Sequence, residues 1–159
     1  MYGDDVRQSL PQGNDTGPHI WAESTFFTWM GLEIVEARND YAKLRLPVQP
    51  HHRGGGGTAA VNGGVLSYML DGVMGVAVHS GNPPDIGGQV TLTLNLEFLD
   101  MATADTEILC EAEVIRRGGS TVFVDGRVYN NQGRVACRGH GIYRLFRRPP
   151  SGNSNQETS

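Results

Sequence analysis

Cysteine, charge and long apolar runs are scarce in this chain. Two of its 159 residues are cysteine and only 19% are Asp, Glu, Lys or Arg, for a formal net charge of −4. Cys110 and Cys137 form no C-x-x-C pair and stand in strand-like segments, so we expect reduced core thiols. Without a basic patch or a run of the ~18 apolar residues that a membrane span needs, the sequence predicts no nucleic-acid or membrane partner.

The length of the chain suits a single domain with a tail at each end. Residues 1–19 and 148–159 are polar and poor in apolar groups, so we expect flexible tails on either side of a domain at 20–147. The N-terminal segment has no apolar block, which argues against a signal peptide or a membrane anchor. The sequence therefore predicts a cytoplasmic protein.

The first half of the predicted domain contains a short helix, a hairpin and a long helix. Ser24 is placed to cap a helix that Gly31 ends. Strand-like segments at 32–37 and 41–46 follow. The loop at 51–57 is too rich in glycine for regular structure, and an apolar helix is predicted at about 64–80.

The second half reads as an antiparallel meander. Residues 90–98 alternate apolar and polar side chains, which predicts a strand with one buried face. Further strand-like segments, separated by hairpin-type turns, lie at 106–116, 120–129 and 134–146. A long apolar helix and such a sheet bury each other if the sheet curls around the helix, which predicts an α+β fold whose curl Gly126, Gly139 and Gly141 ease.

Open sheet edges and two helical glycines predict self-association. Gly72 and Gly75 occupy neighbouring positions on one face of the predicted helix, where a second backbone has room to approach. We therefore expect a homodimer or a homotetramer built as a dimer of dimers.

Asp71 is the residue that most needs an explanation. It stands in an almost uncharged apolar helix, and a buried carboxylate is costly unless it is paired, protonated or used in catalysis. The helix begins after Asn62-Gly63-Gly64, where unpaired N–H groups carry partial positive charge and glycine permits close approach. One acid and one oxyanion donor are the groups that thioester hydrolysis requires. These residues also have a non-catalytic interpretation, in which Asn62 is an ordinary N-cap and the two glycines form an ordinary turn.

These residues resemble the acyl-CoA thioesterases of the hotdog superfamily, most of all the phenylacetyl-CoA and 4-hydroxybenzoyl-CoA type. The resemblance covers roughly residues 21–146. It rests on Asn62-Gly63-Gly64, on Asp71 nine positions after Asn62, on the strand from residue 90, and on the turn Arg117-Gly118-Gly119-Ser120. It implies a helix inside a curled sheet and two protomers that share each active site.

The resemblance also implies roles for individual residues. Asp71 is the nucleophile or general base, the Gly64 amide polarises the thioester carbonyl, and Thr91 stands where a strand hydroxyl assists in some relatives. Asn62 replaces the histidine that commonly precedes the double glycine, and Gly56 replaces a polar residue found in relatives. Residues around the late turn are the implied contacts of the coenzyme A substrate, with Gly63 beside the carbonyl: Arg116, Arg117, Gly118 and Ser120.

Other site types find less support in the sequence. His51 and His52 are adjacent, but no third ligand stands at a useful spacing, so no metal site is predicted. No nucleophile elbow, phosphate-binding loop or dinucleotide motif is present, and no cofactor is predicted. Two alternatives to hydrolysis stay open: an enoyl-CoA hydratase or dehydratase on the same scaffold, which needs a histidine near the acid, and a non-catalytic acyl-CoA-binding dimer.

Overall fold

A computed structural model describes residues 19–54 and 58–149 of the chain. The helices in this part are α1 (His19–Ala22), α2 (Thr25–Met30) and α3 (Gly63–Ser80). The strands are β1 (Glu33–Arg38), β2 (Tyr41–Pro47), β3 (Ile86–Phe98), β4 (Glu107–Arg117), β5 (Thr121–Tyr129) and β6 (Val135–Arg147). Most of the two predicted tails, and the tip of the glycine-rich loop at 55–57, lie outside the described residues. Within the described ranges, no helix is both long and apolar enough to cross a bilayer.

The described strands form one antiparallel sheet in the order β1-β2-β4-β5-β6-β3. Helix α3 packs against this sheet and contributes much of the buried core, including Leu70, Val73 and Met74. Cys110 and Cys137 are buried free thiols, as predicted. A curled antiparallel sheet around one long helix is the hotdog arrangement, so the predicted α+β fold class is confirmed.

Three glycines of the sheet let α3 lie close to it. A β-carbon at Gly126 would come within 2.9 Å of Leu70 Cδ2, and one at Gly139 would come within 3.3 Å of Leu70 Cδ1. At Gly141 a β-carbon would meet Met74 Sδ at 3.2 Å. Any side chain at these positions would push the helix away from the strands, because such contacts are shorter than normal packing distances.

The face of α3 that carries two glycines is covered from within the chain. Ser24 caps α2 by accepting a hydrogen bond from the Phe27 amide, and Gly31 ends the helix with a positive φ of 80°. This places the Phe27 ring 3.1 Å from where a Gly72 β-carbon would stand, and the Trp21 ring 3.5 Å from that of Gly75. The prediction that another protein backbone approaches these glycines is therefore wrong, because aromatic rings of the N-terminal helices occupy the space.

Strand β3 is longer and less regular than its alternating pattern predicts. It begins at Ile86, and its register against β6 shifts between Thr91 and Thr93. Leu94 and Leu96 pack against the core, whereas Val90 and Leu92 are 39% and 57% exposed. The single buried face predicted for 90–98 is wrong for the isolated chain, because the irregularity changes which side chains point inward.

The loop before α3 has more structure than its glycine content predicts. Pro50–His52 forms a single 3-10 turn in which the Gln49 amide donates to His52 Nδ1 at 3.0 Å. His52 is buried, and its carbonyl accepts the amide N–H of Asn62, the residue that begins the helix. A local side-chain bond and burial thus order the first residues of this loop.

We predict that His52 makes stability depend on pH. Burial, followed by the neighbouring His51, lowers the pKa of His52 below its ordinary value of 6.5. Below pH 6.5 the unfolded chain therefore binds a proton that the folded chain resists, and stability falls as the pH drops from neutral through that window. Urea midpoints of the wild-type protein should fall from pH 7.5 to 5.5 more than those of H52N, which cannot titrate. H51N, which removes the smaller of the two causes, should show a fall between those of wild type and H52N, and an equal fall in wild type and H52N contradicts the prediction.

Candidate active site

Asp71 lies near the middle of α3, and one of its carboxylate oxygens is held by two hydroxyl groups. Thr91 Oγ1 donates to Asp71 Oδ1 at 2.8 Å. The Tyr143 hydroxyl lies 3.1 Å from the same oxygen and 3.0 Å from the Asp71 main-chain carbonyl. Within the described part of the chain no group is hydrogen-bonded to Oδ2. The carboxylate is thus fixed at one oxygen and available at the other.

The two hydroxyl groups come from neighbouring strands. Thr91 on β3 and Tyr143 on β6 are register partners across the antiparallel pair, so their side chains share the face of the sheet that meets α3. The register shift of β3 begins at this pair. The fold therefore joins a helical acid to two strand hydroxyls that are 52 residues apart in sequence.

A cleft of about 380 Å³ opens beside Asp71. One of its walls is aromatic, with the Phe26 and Tyr68 rings meeting edge to face at 4.3 Å. Among the residues that line the cleft, Asp71 alone carries a formal charge. The lining comprises Trp21, Ser24, Phe26, Phe27, Tyr68, Asp71, Gly72, Gly75, Gln89, Val90, Thr91 and Tyr143.

The tyrosines around this acid keep their protons. Burial raises the pKa of Tyr68 to about 12, and the negative charge of Asp71 adds to the effect. Burial likewise raises the pKa of Tyr143 well above its usual value, with Asp71 again contributing. Both phenols are therefore hydrogen-bond donors at neutral pH, and neither is a base.

Asn62 and Gly64 form a second group at the start of α3. Asn62 is the N-cap, and its Oδ1 accepts the Gly64 amide N–H at 2.7 Å. The Gly64 amide, which the resemblance assigns to a substrate carbonyl, is therefore bonded to Asn62 in the free chain. The Asn62 oxygen shows where an acceptor must stand to receive this hydrogen bond. Gly63 is flanked by the Phe98 ring, 3.3 Å from where its β-carbon would stand.

The two groups lie apart on one helix. Gly64 and Asp71 are seven residues apart, which corresponds to about 10 Å along the axis on nearly the same face. A thioester carbonyl spans far less than that distance. The acid and the amide of one chain therefore cannot act on one carbonyl together.

The predicted coenzyme A contacts form a third location, at the opposite end of α3. The Arg117 guanidinium donates to Asp40 at 2.6 Å, to the Val78 carbonyl at 2.7 Å and to Asn82 at 2.8 Å. It thus binds the C-terminal end of the helix, a structural role that sequence did not anticipate. Arg116 is exposed beside it.

The turn that follows Arg117 is a tight hairpin. The Gly118 amide donates to the Thr121 carbonyl at 2.8 Å. The carbonyl of Ser120 accepts the Leu145 amide at 2.9 Å. Both predicted contact residues are therefore part of the connection between β4 and β5, at a distance from Asp71 along the helix.

Several lining residues were missed from sequence. Tyr143 lies on the same inward face of β6 as Gly139 and Gly141, at two-residue spacing. Its inward position could therefore have been found by following the period-2 pattern along this strand. Gln89 precedes the predicted start of its strand, and its amide donates to the Gly75 carbonyl at 2.7 Å. Trp21 gave no sequence signal, because its place over α3 depends on how the N-terminal helices dock.

Comparison with known proteins agrees with this architecture. The sequence pattern of the thioesterase superfamily matches residues 59–137, which include Asn62, Asp71 and Thr91. No curated protein sequence matches the chain significantly.

Solved structures resemble the chain over most of its length. A conserved protein of Pseudomonas aeruginosa is 27% identical, with a TM-score of 0.71, over 80% of this chain and 98% of that one. A hypothetical thioesterase of Streptococcus pneumoniae, solved with coenzyme A, is 18% identical, with a TM-score of 0.70, over 83% and 98%. The E. coli PaaI protein from the phenylacetic acid degradation operon is 18% identical, with a TM-score of 0.70, over 80% and 88%.

The matched segment spans α3 with its N-cap, the helical acid and strands β3, β4 and β5, and the solved structures share the fold of the chain. This chain therefore belongs to the thioesterase superfamily and has the hotdog fold.

Proposed function

We propose that this protein hydrolyses an acyl-CoA thioester to a free acid and coenzyme A. The observation that carries the proposal is Asp71, which lines an aromatic cleft: Thr91 and Tyr143 hold its Oδ1, while no group of residues 19–54 and 58–149 is hydrogen-bonded to its Oδ2. Membership of the thioesterase superfamily supports the same reaction.

Asp71 serves the attack on the thioester carbonyl. As a general base, Oδ2 removes a proton from water while the water oxygen bonds to the carbonyl carbon, and collapse of the tetrahedral intermediate expels the thiolate. As a nucleophile, Oδ2 itself bonds to that carbon, the C–S bond breaks with loss of the coenzyme A thiolate, and water then hydrolyses the resulting mixed anhydride to the free acid and the Asp71 carboxylate. Both routes require the unpaired oxygen, and Thr91 holds the other oxygen.

The oxyanion donor comes from a second copy of the chain. The roughly 10 Å between Gly64 and Asp71 along one helix supports a site in which Asp71 of one protomer meets the Gly64 amide of its partner. A substrate carbonyl takes the place of the Asn62 oxygen at that amide. An oxyanion donor of this kind is worth about 3 kcal/mol of activation free energy.

Strand β3 is the surface through which we propose that the two copies pair. It is an edge strand of 13 residues, and it carries Thr91 at its middle. Exposed apolar side chains lie along it and just beyond its end: Val90, Leu92, Phe98, Leu99 and Met101. A long apolar edge is normally covered, and a second copy covers it while bringing its own α3 close to the site.

The aromatic wall favours a flat or apolar acyl group. Phe26, Phe27 and Tyr68 offer ring faces and edges beside Asp71. The PaaI neighbour comes from a phenylacetic acid operon, and the pneumococcal neighbour holds coenzyme A, which together support an aromatic acyl-CoA of the phenylacetyl or hydroxybenzoyl class. The exposed Arg116 is the side chain that we propose to contact a coenzyme A phosphate. Arg117 instead donates to Asp40, Asn82 and the Val78 carbonyl and stabilises the end of α3.

A substrate panel tests the proposal. Purified protein is incubated with short, long and aromatic acyl-CoA esters, and thiol release is followed alongside hydration of an enoyl-CoA. We expect thiol release to be fastest with the aromatic esters. Hydration of the enoyl-CoA without thiol release would favour the hydratase alternative, and binding of acyl-CoA without turnover would favour the non-catalytic one.

A further inference from the structure

Tyr143 brings a hydroxyl group to the inward face of β6, where the preceding inward positions are apolar or carry no side chain. The inward positions of β6 that precede it are Cys137, Gly139 and Gly141, and Tyr143 itself is only 2% exposed. Its ring passes 3.0 Å from where a Gly141 β-carbon would stand, so that glycine leaves the room the ring needs. A buried hydroxyl requires a partner, and the partner here is the proposed catalytic acid.

The contacts of this hydroxyl fix the acid in two ways. It lies 3.0 Å from the main-chain carbonyl of Asp71 and 3.1 Å from Oδ1 of the same residue. A donor that reaches both groups limits rotation of the carboxylate relative to the helix. Thr91 reaches Oδ1 alone, from the neighbouring strand.

The hydroxyl does not itself exchange protons with the substrate. Burial, and then the charge of Asp71, raise the pKa of Tyr143 far above its ordinary 10.0, so the phenol stays protonated at neutral pH. It contacts Oδ1, the oxygen that Thr91 also contacts, and not Oδ2 of this cleft-lining residue. Its geometry suits orientation of the acid and not proton transfer.

We propose that Tyr143 is a positioning residue that aims Asp71 Oδ2 at the thioester carbonyl or at the attacking water. This inference rests on the proposed function, and it adds a residue that acts through Asp71 without touching the substrate. Attack requires the reacting atoms to be aligned to a fraction of an ångström, and misplacement by about 1 Å costs on the order of 100-fold in rate. Loss of one of two orienting donors should therefore cost about 10-fold.

The variant Y143F tests the proposal, because it keeps the ring and removes only the hydroxyl. We expect kcat to fall about 10-fold while KM changes less than about twofold. Y41F is the matched control: the Tyr41 hydroxyl also donates to a carboxylate, that of Glu111 at 2.9 Å, but does not line the cleft. It should keep the wild-type kcat. All rates are measured well below the thermal midpoint of each variant.

A double-mutant cycle separates positioning from a purely structural role. If Tyr143 acts through Asp71, then Y143F lowers kcat in the wild-type background and not in the D71N background. An unchanged kcat in Y143F, or equal losses in both backgrounds, overturns the inference while the proposed function stands. A wild-type protein that releases no thiol from any acyl-CoA refutes the proposed function, and the positioning role falls with it.

Discussion

Replacement of Asp71 by Asn should lower kcat by about 100-fold or more without unfolding the protein. The substitution preserves size and leaves an amide oxygen to accept the hydrogen bonds from Thr91 and Tyr143. It replaces Oδ2, the unpaired atom beside the cleft, with an NH₂ group that neither accepts a proton nor attacks a carbonyl. Thiol release from the best acyl-CoA of the panel measures the loss, and far-ultraviolet circular dichroism checks the fold.

D125N is the matched control for this substitution. Asp125 also carries a partly exposed carboxylate with a single defined partner, His140 Nδ1 at 2.7 Å, but it does not line the cleft. Its kcat should equal that of the wild type. If D71N retains wild-type turnover, Asp71 is a structural carboxylate that holds β3 and β6 to the helix, and the proposed mechanism is wrong.

Local sequence signals predicted the helix ends well, because short-range chemistry decides them. Ser24 and Gly31 bound α2 through a cap bond and a left-handed glycine, and Asn62 caps α3 through its own side chain. Each signal involves residues within four positions of one another. The turn at Pro50–His52 was not predicted, because it combines a bond between the Gln49 amide and His52 Nδ1 with burial of His52, which the sequence does not reveal.

Faces of elements were harder to predict than the elements themselves. The alternating pattern located β3 but not the register shift at Thr91, because a shift depends on what the neighbouring strand and the helix require. Gly72 and Gly75 correctly indicated close approach to α3, yet the groups that approach are the Phe27 and Trp21 rings of the same chain. The sequence shows that the two glycines leave room beside α3, but it does not show which group fills that room.

Some residues of the candidate site were predicted from sequence, and others were found only in the structure. Asp71 was singled out from the sequence and the family resemblance added Thr91, and in the structure Thr91 Oγ1 lies 2.8 Å from Asp71 Oδ1. Tyr143 was missed because its contact with Asp71 spans 72 residues and follows only from strand order. The family resemblance placed Arg117 among the coenzyme A contacts, and its partners at the end of α3 became visible only in three dimensions.

Mixed dimers test whether each active site is shared. In G64P the oxyanion donor is removed, and proline is tolerated in the first turn of a helix, where the N–H makes no backbone bond. We expect both G64P and D71N homodimers to be nearly inactive. In a dimer with one chain of each kind, one of the two sites receives its intact acid from the G64P chain and its intact amide from the D71N chain.

Random reassociation of equal amounts makes half of the dimers mixed, and each mixed dimer has one intact site of two. The mixture should therefore regain about a quarter of the wild-type rate. Each variant taken alone through the same unfolding and refolding gives the baseline, and light scattering verifies that dimers form. If acid and amide act within one chain, every chain in the mixture lacks one of them and no activity returns. Recovery thus requires Gly64 of one protomer to lie beside Asp71 of the other, because neither variant chain carries both groups intact.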